Sequence, residues 1–255
     1  MTPRVLAIAN QKGGVGKTTT ALSLAAALAM TGRRILVMDL DPHGCASAHV
    51  GIFPEAVAAS SAEVFWAASP GAVPWERVVT RPEKAAFDLA PSHARLADME
   101  WDLRERKGKG VLLREALASG PAYDHVLLDC PPHTGVVLVN ALVAADLCVI
   151  PVQTDFLALH GVRNLFDTMR ALNAALPRPV PFRALATMCD RRARACRRVL
   201  ALLREKFAGR MFETVIGLDT KFREASAAGC VIQDLAPDSR GAREYEALAQ
   251  EVLSL

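Results

Sequence analysis

The segment Asn10-Gln11-Lys12-Gly13-Gly14-Val15-Gly16-Lys17-Thr18 constrains this chain more than any other. It lies between an apolar run, Arg4–Ala9, that reads as a strand and an Ala/Leu-rich stretch, Thr18–Met30, that reads as a helix. Glycines let the backbone curl until successive N–H groups point at one place, which is how a loop cradles phosphate oxygens. The helix N-terminus behind it adds favourable positive potential. The spacing is that of G-x-x-x-x-G-K-[ST] with the first glycine replaced: Lys17 is placed for the β- and γ-phosphates of a nucleotide and the Thr18 hydroxyl for Mg²⁺. Gly13, Gly14, Val15, Gly16, Lys17, Thr18 and Thr19 are therefore the candidate phosphate-binding residues. A plain glycine-rich turn is the competing reading; the preceding strand, Lys17-Thr18 and a second lysine, Lys12, argue against it.

The rest of the chain alternates short apolar runs with helical patterns. Arg34–Asp39, Phe87–Ala90, His125–Cys130, Leu147–Val152, Arg183–Met188 and Met211–Val215 read as strands. Val136–Ala144, Phe156–Ala175 and Arg192–Phe207 read as helices, with two more across 92–119 broken near Lys107–Gly110 and a last one from about Ser239, capped by Asp238 or Ser239. Gly32 stands where a helix C-terminus wants it. Residues 52–86, punctuated by four prolines, are the least readable. Near-continuous apolar strands alternating with helices predict an α/β doubly wound fold, a mainly parallel sheet with helices on both faces. With 255 residues, 51% hydrophobic and only 5% aromatic, the expectation is one domain over 1–255 whose core is filled by Ala, Leu and Val.

No apolar run approaches the roughly 18–20 residues of a membrane span. The N-terminus carries no charged-then-apolar leader, and six scattered cysteines without a C-x-x-C pair suit free thiols in a reducing cytoplasm. The expected location is cytoplasmic.

Two acidic sites follow strands. Asp39-Leu40-Asp41-Pro42-His43-Gly44 ends the second strand, and Asp129 ends His125–Cys130. Asp41 alone would read as a helix N-cap; its place after a strand in this context makes it a catalytic candidate. A carboxylate such as Asp129, at a strand's C-terminal end beside the glycine loop, can hold Mg²⁺ through water.

Lys12-Gly13-Gly14-Val15-Gly16-Lys17-Thr18-Thr19 resembles the deviant Walker A box of the ParA/MinD family of P-loop ATPases. Asp39-x-Asp41-Pro42-x-Gly44 resembles the family's D-x-D-P-Q-G, with His43 in place of Gln, and Asp129-Cys130-Pro131-Pro132 its D-C-P-P, followed by His133-Thr134-Gly135 rather than S-L-G. The likeness extends nearly end to end, through Ile150–Gln153 with Leu157–Gly161, Thr187–Asp190 with Arg192, and Ser239–Ala242. It implies ATP and Mg²⁺ as ligands and a nucleotide-sandwiched homodimer in which Lys12 reaches the partner's phosphates. It also implies that Lys12, Lys17 and Asp41 form the catalytic set, with Asp41 orienting the attacking water. Cys130 raises the iron–sulfur alternative of the nitrogenase iron protein, but strand packing accounts for that cysteine. Residues 242–255 carry three glutamates and one arginine, unlike the basic membrane helix of MinD-type members, so the ParA branch is expected and no membrane partner. Arg106–Gly110, Gln153–Ala158 and Asp219–Ser226 resemble members that position chemotaxis arrays. Gly217 and Asp219 depart from the family's P-R-N run, which lies near its base pocket.

Charge is unevenly placed. Residues 178–223 hold 12 Lys/Arg and 4 Asp/Glu, while the net charge of the whole chain is +3. Arg191, Arg194 and Arg198 are expected on one helical face. Arg192 and Lys221 match the family's DNA-contacting positions, and Arg223 lies close by. Such a surface suits sequence-independent binding to phosphates. The expectation is a partitioning or positioning ATPase. Its ATP dimer binds nucleoid DNA, and a ParB-like or adaptor protein stimulates slow hydrolysis that releases it. The competing readings are a metabolic P-loop ligase and a MinD-like membrane oscillator.

Overall fold

The computed structural model describes residues 2–155 and 158–255, and for residues 54 and 158–161 the backbone alone. Seven strands form one sheet: β1 Arg4–Ile8, β2 Ile35–Asp39, β3 Asp88–Ala90, β4 His125–Asp129, β5 Leu147–Gln153, β6 Phe182–Cys189 and β7 Met211–Gly217. Their order is β3-β2-β4-β1-β5-β6-β7, and every neighbouring pair is parallel. The fold is thus the α/β doubly wound one that the alternation predicts. The chain builds outward from β1 to one side and returns to build the other, so the loop after β1 sits where the winding direction reverses.

Period-two alternation explains the apolar strands. Val5, Ala7, Leu36, Met38, Val126, Leu128 and Ile150 face one core with the helices Leu112–Ala118, Val136–Ala144 and Arg194–Lys206. Leu6, Ile8, Ile35, Val37, Leu127 and Val149 face the other, covered by helices Lys17–Ala29 and Arg240–Leu253. These two helices are tied by the buried pair Thr20 Oγ1–Tyr245 Oη at 2.9 Å. Ser239 caps the last helix, its hydroxyl accepting from the Ala242 N–H, a contact worth about 1 kcal/mol.

Several expectations change. The stretch 92–119 holds a 3₁₀ turn at Ala94–Asp98, a single helical turn at Met99–Asp102 and one regular helix, Leu112–Ala118, rather than two full helices. Trp101 is 69% exposed and stacks under the Arg104 guanidinium at 4.0 Å. The helix expected over Phe156–Ala175 is described from Ala158 to Asn173; Phe156 and Leu157 lie outside the described residues. Among the described residues no helix is long and apolar enough to cross a membrane.

Candidate functional site

The loop Ala9–Gly16 is pinned before it is used. Asn10, buried, donates to the Pro151 carbonyl at 2.7 Å and accepts from the Lys12 N–H. The Val15 carbonyl accepts from the Thr187 hydroxyl at 2.9 Å. Gly14 and Gly16 have φ of 72° and 88°, a region that side chains with a Cβ rarely enter. A Cβ on Gly13 or Gly14 would meet no atom within 4 Å, so the loop opens onto free space with its amides at the N-terminus of helix Lys17–Ala29.

Lys17 is buried and folded back over the loop, donating to the Lys12 carbonyl at 3.3 Å. Thr18, in the first turn of helix Lys17–Ala29, donates its hydroxyl to Asp129 Oδ2 at 2.7 Å. Asp129 Oδ1 is buried and has no partner among the described residues. An orphaned carboxylate oxygen beside a threonine hydroxyl fits a hydrated divalent cation, because the donor set is all oxygen. Burial, then the charge of Asp39, pushes the Asp129 carboxyl well above the ordinary range. The charge of a bound cation would favour the ionised carboxylate.

Asp39 and Asp129 are register partners at the ends of β2 and β4. Asp39 accepts from the Ser47 N–H and hydroxyl at 2.8 and 2.7 Å and from the Asp41 N–H at 3.2 Å. It therefore shapes the loop that presents Asp41. Burial raises its pKa to about 6. Asp41 accepts from the His43 N–H, and His43 Nδ1 lies 2.9 Å from its Oδ1. The charge of Asp41 reaches both Asp39 and Asp129, so the three carboxylates face one locale.

Lys12 stands apart. Its ammonium lies 2.6 Å from Asp155 Oδ2, at the partly exposed rim after β5. Gln11 reaches the same rim, donating to Thr134 and Thr168 hydroxyls. Asp155 was missed as a partner: 143 residues separate it from Lys12, and no spacing rule links them.

The arginine surface differs in detail from its sequence reading. Helix Arg194–Lys206 starts after Arg191, so Arg191 lies in the preceding turn and not on the helical face with Arg194 and Arg198. Arg191, Arg192, Arg194, Arg197 and Arg198 are all exposed. Arg192 folds onto Asp190 and Arg197 donates to the carbonyls of Arg191 and Arg192. Lys221 begins helix Lys221–Ala227 and pairs with Glu224, and Arg223 is exposed beside it. Gly217 has its own reason: its N–H donates to Glu244 at 2.6 Å, and a Cβ there would lie 2.9 Å from the Arg240 guanidinium. A proline could supply neither that donor nor that space.

A strand, an open glycine loop, a helix-borne threonine on a strand-end aspartate and a buried loop lysine together define a P-loop nucleotide-binding protein. A family model described as an AAA domain matches residues 3–179. The chain is 40% identical over 252 residues to the chromosome-partitioning ATPase Soj of Thermus thermophilus, covering 98% of this chain and 96% of that protein. It is 37% identical over 256 residues to the chromosome partitioning protein ParA of Caulobacter vibrioides, covering 98% and 94%. Among solved structures, cobyrinic acid a,c-diamide synthase of Mycobacterium smegmatis with bound ADP and magnesium superposes with a TM-score of 0.83 at 33% identity, covering 98% and 94%. The chain belongs to the ParA/MinD family of deviant Walker A ATPases.

Proposed function

We propose that this chain is a positioning ATPase that binds ATP and Mg²⁺, closes into a homodimer around two nucleotides, and in that form binds DNA without sequence preference. The whole chain, 1–255, acts as one ATPase domain. The phosphates lie in the amides of Gly13, Gly14, Val15 and Gly16, with Lys17, Thr18 and Thr19 completing the cradle. Mg²⁺, held by Thr18 and through water by Asp129, neutralises phosphate charge. Asp41 holds and orients the attacking water. Lys12 leaves Asp155 and meets the triphosphate of the second subunit, adding positive charge where negative charge develops.

The observation that carries this reading is the separation of the two lysines. Lys17 is folded inside the loop, while Lys12 stands at its partly exposed rim with Asp155 as its carboxylate partner. A simple nucleotide-binding loop needs only the first. Arg191, Arg192, Arg194, Arg198, Lys221 and Arg223 supply the phosphate contacts. Closing two subunits doubles that charge, so nucleotide state becomes a switch for DNA affinity. A ParB-like or adaptor protein stimulates hydrolysis and releases the dimer. The cargo is a chromosome or plasmid complex, as with the relatives named for partitioning, or a chemotaxis cluster, as the sequence of Asp219–Ser226 suggests. The chain works in the cytoplasm on the nucleoid.

A titration of the chain with double-stranded DNA in ATP, ADP and no nucleotide tests this. Tight binding in ATP alone is expected; equal binding in all three contradicts the switch. The 33%-identical diamide synthase favours a second reading, an ATP-consuming amide ligase. It requires turnover with a carboxylic-acid substrate and ammonia or glutamine, independent of DNA and of any protein partner.

A further inference from the structure

β6 ends at Cys189, and Cys196 lies in the first turn of helix Arg194–Lys206. Their sulfur atoms are 3.0 Å apart, and both residues are buried, 1% and 6% exposed. The Thr154 hydroxyl sits 2.9 Å from Cys196 Sγ and within reach of the Thr187 carbonyl. A disulfide has an S–S length of about 2.0 Å, so about 1 Å of approach converts this contact into a bond. Among the described residues it is the one hydrogen-bonded contact between two thiols.

The position gives the pair leverage. On one side, Thr187 holds the Val15 carbonyl, Met188 (φ 52°) lies against Gly16, and Thr154 precedes the Asp155 that holds Lys12. On the other side, the turn between the two cysteines carries Arg191 and Arg192, and Arg194 begins the helix that follows. In the present arrangement Arg191 and Arg192 are paired within the chain. Arg192 is on Asp190, Arg191 is 3.5 Å from Glu244, and Arg197 is on the carbonyls of Arg191 and Arg192.

We propose that Cys189 and Cys196 form an oxidation site, which small hydroperoxides convert to a disulfide that locks the 190–193 turn in its self-paired form and lowers affinity for DNA. The effect on DNA rests on the function proposed above; the oxidation site does not. One sulfur attacks the peroxide O–O bond, giving a sulfenic acid and an alcohol, or water where the oxidant is hydrogen peroxide. The second sulfur displaces the hydroxyl, which leaves as water. In total two S–H bonds break, one S–S bond forms, and the peroxide takes both electrons and both protons; a low-molecular-weight thiol reverses the change. Burial, with the Cys196 thiol beside it, pushes the Cys189 thiol up to about 11. The closed pair is therefore held as thiols at neutral pH, and reaction proceeds when the exposed turn opens.

The test treats the reduced full chain with hydrogen peroxide, alkylates it, and maps tryptic peptides without reduction. The arginines between the two cysteines let trypsin separate them. The expected result is a linked pair of peptides carrying Cys189 and Cys196, released by dithiothreitol, with the exposed Cys45 still alkylated. Separate, alkylated Cys189 and Cys196 peptides overturn the site. In parallel, DNA binding with ATP and Mg²⁺ is measured for oxidised and reduced wild type, Cys196→Ser and Cys189→Ala. Several-fold weaker binding of oxidised wild type, reversed by dithiothreitol and absent in both variants, is expected. A linked pair with unchanged affinity overturns the locking role. Failure of the reduced protein to bind DNA under any condition sinks the DNA surface instead, and the peptide map still decides the oxidation site.

Discussion

Lys12 Nζ lies 2.6 Å from Asp155 Oδ2, joining the glycine loop to the end of β5 within one chain. In the proposed cycle this pair must break before Lys12 can meet a second subunit's nucleotide. Both side chains are partly exposed, so the pair is worth about 1 kcal/mol or less. Asp155→Asn should free Lys12 in both subunits and lower the protein concentration needed for ATP-dependent dimerisation by up to about thirtyfold, since each dimer breaks two such pairs, read by analytical ultracentrifugation. Weaker dimerisation of the variant would place Asp155 in the dimer contact rather than in a restraint.

Lys17→Ala should weaken ATP binding roughly 100-fold, the equivalent of about 3 kcal/mol of charge-assisted hydrogen bonding. Titration calorimetry with ATP and Mg²⁺ measures it. Unchanged affinity refutes the loop assignment.

Asp39 gives a pH dependence. Its folded-state pKa is raised from 3.8 to about 6, chiefly by burial. Between those values the folded chain holds a proton that the unfolded chain has released. Stability of the nucleotide-free protein should therefore fall as pH rises from about 4 to about 6, and this contribution should level off above 6. The full effect is on the order of 2–3 kcal/mol. Asp39→Asn should flatten that slope in urea unfolding across this range; an identical slope in the variant assigns the dependence elsewhere.

Arg192→Glu should reduce DNA affinity about tenfold at low salt and make binding less salt-dependent, since each lost phosphate contact lowers the salt slope by about one. ATP-driven dimerisation should survive, because Arg192 pairs with Asp190 on the surface and not with the nucleotide loop. Equal DNA retention by variant and wild type argues against this face.

The sheet was legible because its strands are buried on both faces. Val126, Leu127 and Leu128 need partners above and below, and only strands between helix layers provide them. The loop was legible because glycines at Gly14 and Gly16 answer a local backbone demand. Helices Lys221–Ala227 and Ile232–Leu235 left no readable period. Each is short and held by tertiary contact: Ala225 and Ile232 pack with Ala242 in a small cluster of their own. Trp101 shows that an aromatic can lie on the surface under an arginine as well as in a core, which composition alone does not distinguish. The Lys12–Asp155 and Gly217–Glu244 contacts join residues far apart in sequence, which no local pattern encodes.

The most direct test of the ATP-gated dimer is the solution mass of Asp41→Ala by light scattering in ATP and Mg²⁺, compared with ADP. Loss of the water-orienting carboxylate should hold the ATP state, giving about twice the 27.4 kDa chain mass in ATP and the single mass in ADP. A single mass in both nucleotides, at protein and ATP concentrations that saturate the site, contradicts the account.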